Sequence, residues 1–84
     1  MADQFTLEDL KSILVNRIGM AESDIGDDTA TTFEDIGLDS LAFLELQHEM
    51  ETRYGFVVDE AEAQDIHTFE DAIQYMNRQL QASS

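Results

Sequence analysis

Apolar residues recur at helical spacing in three separate stretches of this chain, and that pattern leaves few folds open to it. Leu7, Leu10, Ile13, Leu14 and Ile18 form the first stripe, Phe43, Leu46, Met50 and Tyr54 the second, and Phe69, Ala72, Ile73, Met76 and Leu80 the third. Recurrence at three and four residues lines one side of an α-helix, so each stretch predicts an amphipathic helix with one face to bury. The punctuation agrees. Thr6 with Asp9, Asp39 alone, and Thr68 with Asp71 are N-cap combinations, whereas Gly19 and Gly55 are natural C-terminal stops. Helices are therefore expected over about 7–18, 40–53 and from Thr68 onward.

The connections are less regular. Met20 to Leu38 has no sustained period, and Gly26 with the Thr29-Ala30-Thr31-Thr32 run discourages a helix there. A long loop with room for one helical turn is expected, anchored by Ile25, Phe33 and Ile36. Phe56-Val57-Val58 is too short to build a sheet alone and is taken as an extended connector. Asp59 to Ile66 predicts a short third helix with Ala61, Ala63 and Ile66 against the core. The fold class is all-α: a small bundle of three main helices plus one short helix, with the long loop between helices 1 and 2. Residues 1–84 are expected to form one domain, frayed at about 1–4 and 81–84.

Composition narrows the function. The net charge is −15, from 19 acidic residues against four basic ones. Phosphate binding needs Lys and Arg, so nucleic acid and anionic membrane surfaces are disfavoured; a basic protein partner, a cation or plain solubility remains. Without cysteine there is no disulfide, thiolate nucleophile or thiolate zinc site. No apolar run reaches membrane length and Met1-Ala2-Asp3-Gln4 lacks a basic start, which suits a cytoplasmic location.

The chemistry concentrates where the long loop meets the second helix, at Phe33-Glu34-Asp35-Ile36-Gly37-Leu38-Asp39-Ser40-Leu41. Gly37 frees the backbone, Asp39 caps the helix, and Ser40 becomes its first residue. An anion attached to Ser40 would lie at the positive end of the helix dipole. A hydrolytic serine fits poorly. The Gly-x-Ser-x-Gly elbow is absent, and His48 lies two turns from Ser40; sequence leaves His67 open as a base. An EF-hand begun at Asp24 would put Thr29 where glycine is required and Asp35 where a bidentate glutamate belongs. His48-Glu49 has no second histidine one turn later, so the His-Glu-x-x-His zinc pattern is missing.

Gly37-Leu38-Asp39-Ser40-Leu41 resembles the Gly-x-Asp-Ser-Leu motif of acyl carrier proteins. The likeness extends through chain length, acidity, Arg53-Tyr54-Gly55 and the closing amphipathic stretch. Phe33 to Gly37, Ser40-Leu41-Ala42, Leu44-Glu45 and Glu51 to Gly55 look most like the carriers of type II (aromatic) polyketide synthases. The resemblance implies a non-catalytic carrier with 4′-phosphopantetheine, taken from coenzyme A, on Ser40. The arm's thiol would hold acyl or polyketide units as thioesters. Asp39 would assist Mg²⁺ during arm transfer as well as cap the helix. Implied partners are a phosphopantetheinyl transferase, a ketosynthase with its chain-length factor, a malonyl transacylase, a ketoreductase and a cyclase, met by a monomer.

Leu41, Leu44, Glu45, His48 and Glu49 share the outer face of the second helix and are the candidate docking residues. Glu45 and Glu49 form a like-charge pair costing roughly 0.2–0.5 kcal/mol, which stability alone would not select. Surface charge of this kind speeds encounter with basic partners. Leu46, Met50, Ile66 and Ala72 match the family's apolar cleft for the acyl chain, although core packing explains each of them singly. The chain departs from the polyketide pattern at Val57-Val58 and Thr68-Phe69, where those carriers often have proline, and at Gln47, often apolar. A fatty-acid carrier is the alternative within the family; an unmodified acidic interaction module is the alternative outside it.

Overall fold

The computed structural model describes residues 4–82; the expected fraying of residues 1–3 and 83–84 lies outside the described residues. Helix α1 (Leu7–Ile13) starts where the sequence places it. Thr6 Oγ1 accepts from the Asp9 amide, and Asp9 Oδ2 accepts in return from the Thr6 amide. The last five residues of the helix expected over 7–18 differ, because Leu14–Ile18 is wound as a π-helical segment. The Leu14 carbonyl accepts from both Gly19 N–H and Met20 N–H, and Gly19 closes the segment at φ 91°.

The long loop contains the one helical turn, α2 (Glu22–Ile25). Ile25 and Phe33 are buried and Ile36 is partly buried against them, as the loop anchors require. Helix α3 (Ser40–Tyr54) follows, and the Asp39 carboxylate accepts from the Ala42 amide at 2.8 Å. Helix α4 (Glu60–Ala63) is one turn rather than the longer third helix expected up to Ile66. The chain tightens immediately after it, with Asp65 N–H donating to Glu62 and Ile66 N–H to Ala63. Ala61 is exposed and Ala63 half-buried instead of both packing on the core, while Ile66 still reaches it.

Helix α5 (Phe69–Ala82) runs further than expected, with Gln81 and Ala82 still helical. Its buried stripe contains Phe69, Ala72 and Met76, with Ile73 and Leu80 at its margins. Tyr75, outside the expected stripe, is also buried, and its hydroxyl accepts from the Asp59 amide at 3.3 Å. Val58 is the connector residue that turns inward.

These faces meet in one core of Phe5, Leu10, Ile13, Leu14, Ile25, Phe33, Leu46, Met50, Phe69, Ala72 and Met76. Phe33 links loop to bundle, its ring centroid 5.4 Å from Phe43 and 5.3 Å from Phe69 in inclined contacts that aromatic pairs favour. No strand forms among the described residues; Thr32 and Thr68 make a single antiparallel bridge. That bridge brings the long loop against the start of α5. Phe33 N–H donates to the His67 carbonyl, Phe69 N–H to Thr31 and Glu70 N–H to Thr29. No described helix is long and apolar enough to cross a membrane.

Candidate functional site

Ser40 is the first residue of α3 and is exposed to solvent. Two backbone features hold it there. Gly37, at φ 79°, ends a tight turn in a region closed to most side chains, and its N–H donates to Glu34. The Leu38 amide then donates back to Phe33, and Asp39 turns extended to cap the helix. Asp39 occupies Ala42 N–H with its side chain and Phe43 N–H with its carbonyl. The first-turn amides of Ser40 and Leu41 lie at the end of α3 where intrahelical partners run out, and the dipole there favours a negative group.

Beside Ser40 opens a cavity of about 600 Å³. Its apolar wall is Phe33, Leu38, Phe43, Leu44 and Ile66, and its polar rim is Thr32, Glu34, Asp39, Ser40 and His67. Of the four expected cleft residues only Ile66 lines this space. Leu46, Met50 and Ala72 lie below it, at 0%, 4% and 1% exposure, packed into the core. Ser40, Phe43 and Leu44 reach it from the first turns of α3, and the other lining residues come from loops that no periodicity marks. They converge because the Thr32–Thr68 bridge carries His67 to the same cavity as Ser40.

The histidines separate. His67 lines the cavity, whereas His48 lines a smaller depression with Arg17, Ile18, Leu44, Glu45 and Glu49. The Asp71 carboxylate accepts from the backbone amides of His67 and Thr68, both at 3.2 Å. These bonds hold its carboxyl below the ordinary aspartate value of 3.8, the His67 amide being the largest cause. Asp71 thus fixes the His67 main chain. Among the described residues, no group of three or more His, Asp or Glu side chains is arranged to hold a metal ion.

The outer face of α3 combines apolar and acidic groups. Leu41 and Leu44 are 69% and 55% exposed, and Glu45 and His48 are exposed as well. Glu49 stands apart from this set. Its Oε2 lies 3.3 Å from Arg17 Nε and 3.6 Å from Arg53 Nη2, so two guanidinium groups share one carboxylate. Arg17, on the π-helical segment after α1, supplies a cation to the stretch from Gly19 to Thr52, which contains no Lys or Arg. The like-charge cost between Glu45 and Glu49 is offset by these pairs.

The residues fit a covalently attached anionic arm. The hydroxyl that would bear it is accessible, the helix end beside it suits a phosphodiester, and an apolar-walled cavity lies alongside. Comparison with known proteins agrees. The family model for the phosphopantetheine attachment site matches residues 8–76. The chain is 36% identical over 81 residues to the anthracycline acyl carrier protein DauA of Streptomyces sp. (strain C5), covering 95% of this chain and 96% of that one. It is 34% identical over 82 residues to the anthracycline acyl carrier protein DpsG of Streptomyces peucetius, covering 96% and 98%. Among solved structures it is similar to butyryl-ACP from the actinorhodin polyketide synthase of Streptomyces coelicolor, with a TM-score of 0.78, 34% identity and 95% of each chain covered. The actinorhodin holo acyl carrier protein from S. coelicolor aligns over 100% of each chain, with a TM-score of 0.76 and 33% identity.

Proposed function

Because the chain belongs to the phosphopantetheine-bearing acyl carrier protein family, we propose that it carries acyl and polyketide intermediates for a type II polyketide synthase, with the arm on Ser40. The observation that carries this reading is the exposed Ser40 hydroxyl at the start of α3, at the mouth of the cavity. When bound, the arm supplies the reactive thiol that a chain without cysteine lacks.

The protein's own groups then have separable tasks. Asp39 caps the helix start from which Ser40 is presented to a transferase, and in this reading its exposed carboxylate also assists Mg²⁺ in that step. Phe33, Leu38, Phe43 and Ile66 offer the arm and the first atoms of its cargo an apolar wall without any movement of the core. A longer chain entering between α3 and α5 would have to part Leu46, Met50 and Ala72, which favours cargo held near the cavity mouth.

Leu41, Leu44, Glu45 and His48 form the docking face beside Ser40. Two exposed leucines flanked by acid suit partners with an apolar contact ringed by Lys or Arg, and Glu49 contributes less because Arg17 and Arg53 already engage it. The partners in this reading are the transferase, ketosynthase with chain-length factor, malonyl transacylase, ketoreductase and cyclase. We read residues 1–84 as one such carrier domain.

The test is intact-mass spectrometry after incubation with coenzyme A, Mg²⁺ and a broad-specificity phosphopantetheinyl transferase. One added phosphopantetheine on the native chain and none on folded Ser40→Ala is the expected result. A folded native chain left unmodified by more than one transferase would overturn the reading, and the acidic face would then be the lead to its role.

A further inference from the structure

We propose that His67 is a positioning residue for the arm on Ser40, drawing its phosphodiester toward the cavity. The inference rests on the carrier reading above and adds a residue to it. Of the side chains that line the cavity, His67 alone can carry positive charge; Glu34 and Asp39 carry the opposite sign. A phosphodiester on Ser40 is favoured by the start of α3 but repelled by both carboxylates, so a cation beside the cavity biases which way it lies. His67 lines the same cavity, on the loop before α5.

Its backbone is fixed from two sides. The His67 carbonyl accepts from Phe33 N–H at 3.0 Å, and its amide donates to Asp71 at 3.2 Å. The Thr32–Thr68 bridge lies directly beside it. With the main chain held and the side chain exposed at the rim, the imidazole can turn toward an anion at little conformational cost. The charged groups that line the cavity with it are Glu34 and Asp39, and Asp71 on α5 is engaged with the main-chain amides of His67 and Thr68. His48 lines a different depression and provides an internal control.

The experiment is ³¹P NMR of the holo protein between pH 5 and 8, after intact mass has verified the arm. A phosphodiester does not itself titrate there, so movement of its resonance reports a neighbouring group. The native protein should show a sigmoidal shift. It should be lost completely in His67→Gln, kept in His48→Gln, and replaced in His67→Lys by a pH-independent position near the acid limit of the native chain. Amide spectra of each variant check that the fold is intact. A flat native resonance, or a native-like titration in His67→Gln, would overturn the inference and leave the carrier reading standing. Failure to load the arm would overturn both.

Discussion

Removing the carboxylate of Asp71 should destabilise the protein at neutral pH and have progressively less effect in acid. Asp71 Oδ2 accepts from the amides of His67 and Thr68, and Thr68 Oγ1 accepts in return from the Asp71 amide at 3.1 Å. It is a reciprocal capping box with one additional bond. Loss of a cap of this kind costs about 1 kcal/mol, within a range of roughly 0.5–2. For a domain of this size that lowers Tm by about 4–8 °C. With a urea m-value of about 1–2 kcal/mol/M, the midpoint falls by roughly 0.5–1 M.

The pH dependence has a definite sign. The folded carboxyl titrates below its unfolded value of 3.8, so its contribution is present above that pH and is lost as pH falls through the lower folded value. Urea titrations of the native chain and Asp71→Ala, followed by circular dichroism at pH 7 and at several acid points, provide the assay. The difference between the two proteins at each pH removes the common effect of the other acidic residues. It should shrink toward zero below the folded value. A difference that stays constant from pH 7 into that range would refute the assignment of the effect to the ionised carboxylate.

Other substitutions separate the remaining contributions. Asn77 accepts from the Phe5 amide at 2.7 Å and donates to the Phe5 carbonyl at 3.1 Å, so Asn77→Ala leaves two part-buried backbone groups unpaired. It should cost about 1–3 kcal/mol in urea unfolding. Leu46→Ala, at a fully buried position of α3, should cost about 2–5 kcal/mol and test the core beneath the cavity by thermal melting. Arg17→Gln releases one of the two cations on Glu49 and should change stability by less than about 1 kcal/mol. Stopped-flow association with a basic transferase should be roughly two- to three-fold faster at low salt, with the gain disappearing at high ionic strength.

Local chemistry made much of this protein readable from sequence. Thr6, Asp39 and Thr68 cap their helices because a short polar side chain needs only the amides two or three residues ahead, and that relation is visible in sequence. The stripe of α3 could be read in the same way, down to the exposure of Leu41 and Leu44 on its other side. The cavity could not. Thr32, Glu34 and His67 belong to irregular segments far apart in the chain, joined by a bridge of backbone atoms that carries no residue signature. The partnership of Glu49 with Arg17 was hidden for a similar reason, since it depends on how α3 lies against the end of the first helix. The π-helical winding of Leu14–Ile18 keeps a residue pattern that also suits an α-helix, so spacing does not distinguish the two.

The clasp between the long loop and α5 has a consequence for how such a protein can diversify. Its bonds run from Phe33, Phe69 and Glu70 amides to the carbonyls of His67, Thr31 and Thr29, and main-chain groups are common to nearly every amino acid. The foundation of the cavity is therefore indifferent to what is written at its rim. Positions 34 and 67, both exposed, can be rewritten to suit a different guest while the architecture beneath them is inherited unchanged. A library confined to those two sites would explore recognition without drawing on the stability of the bundle.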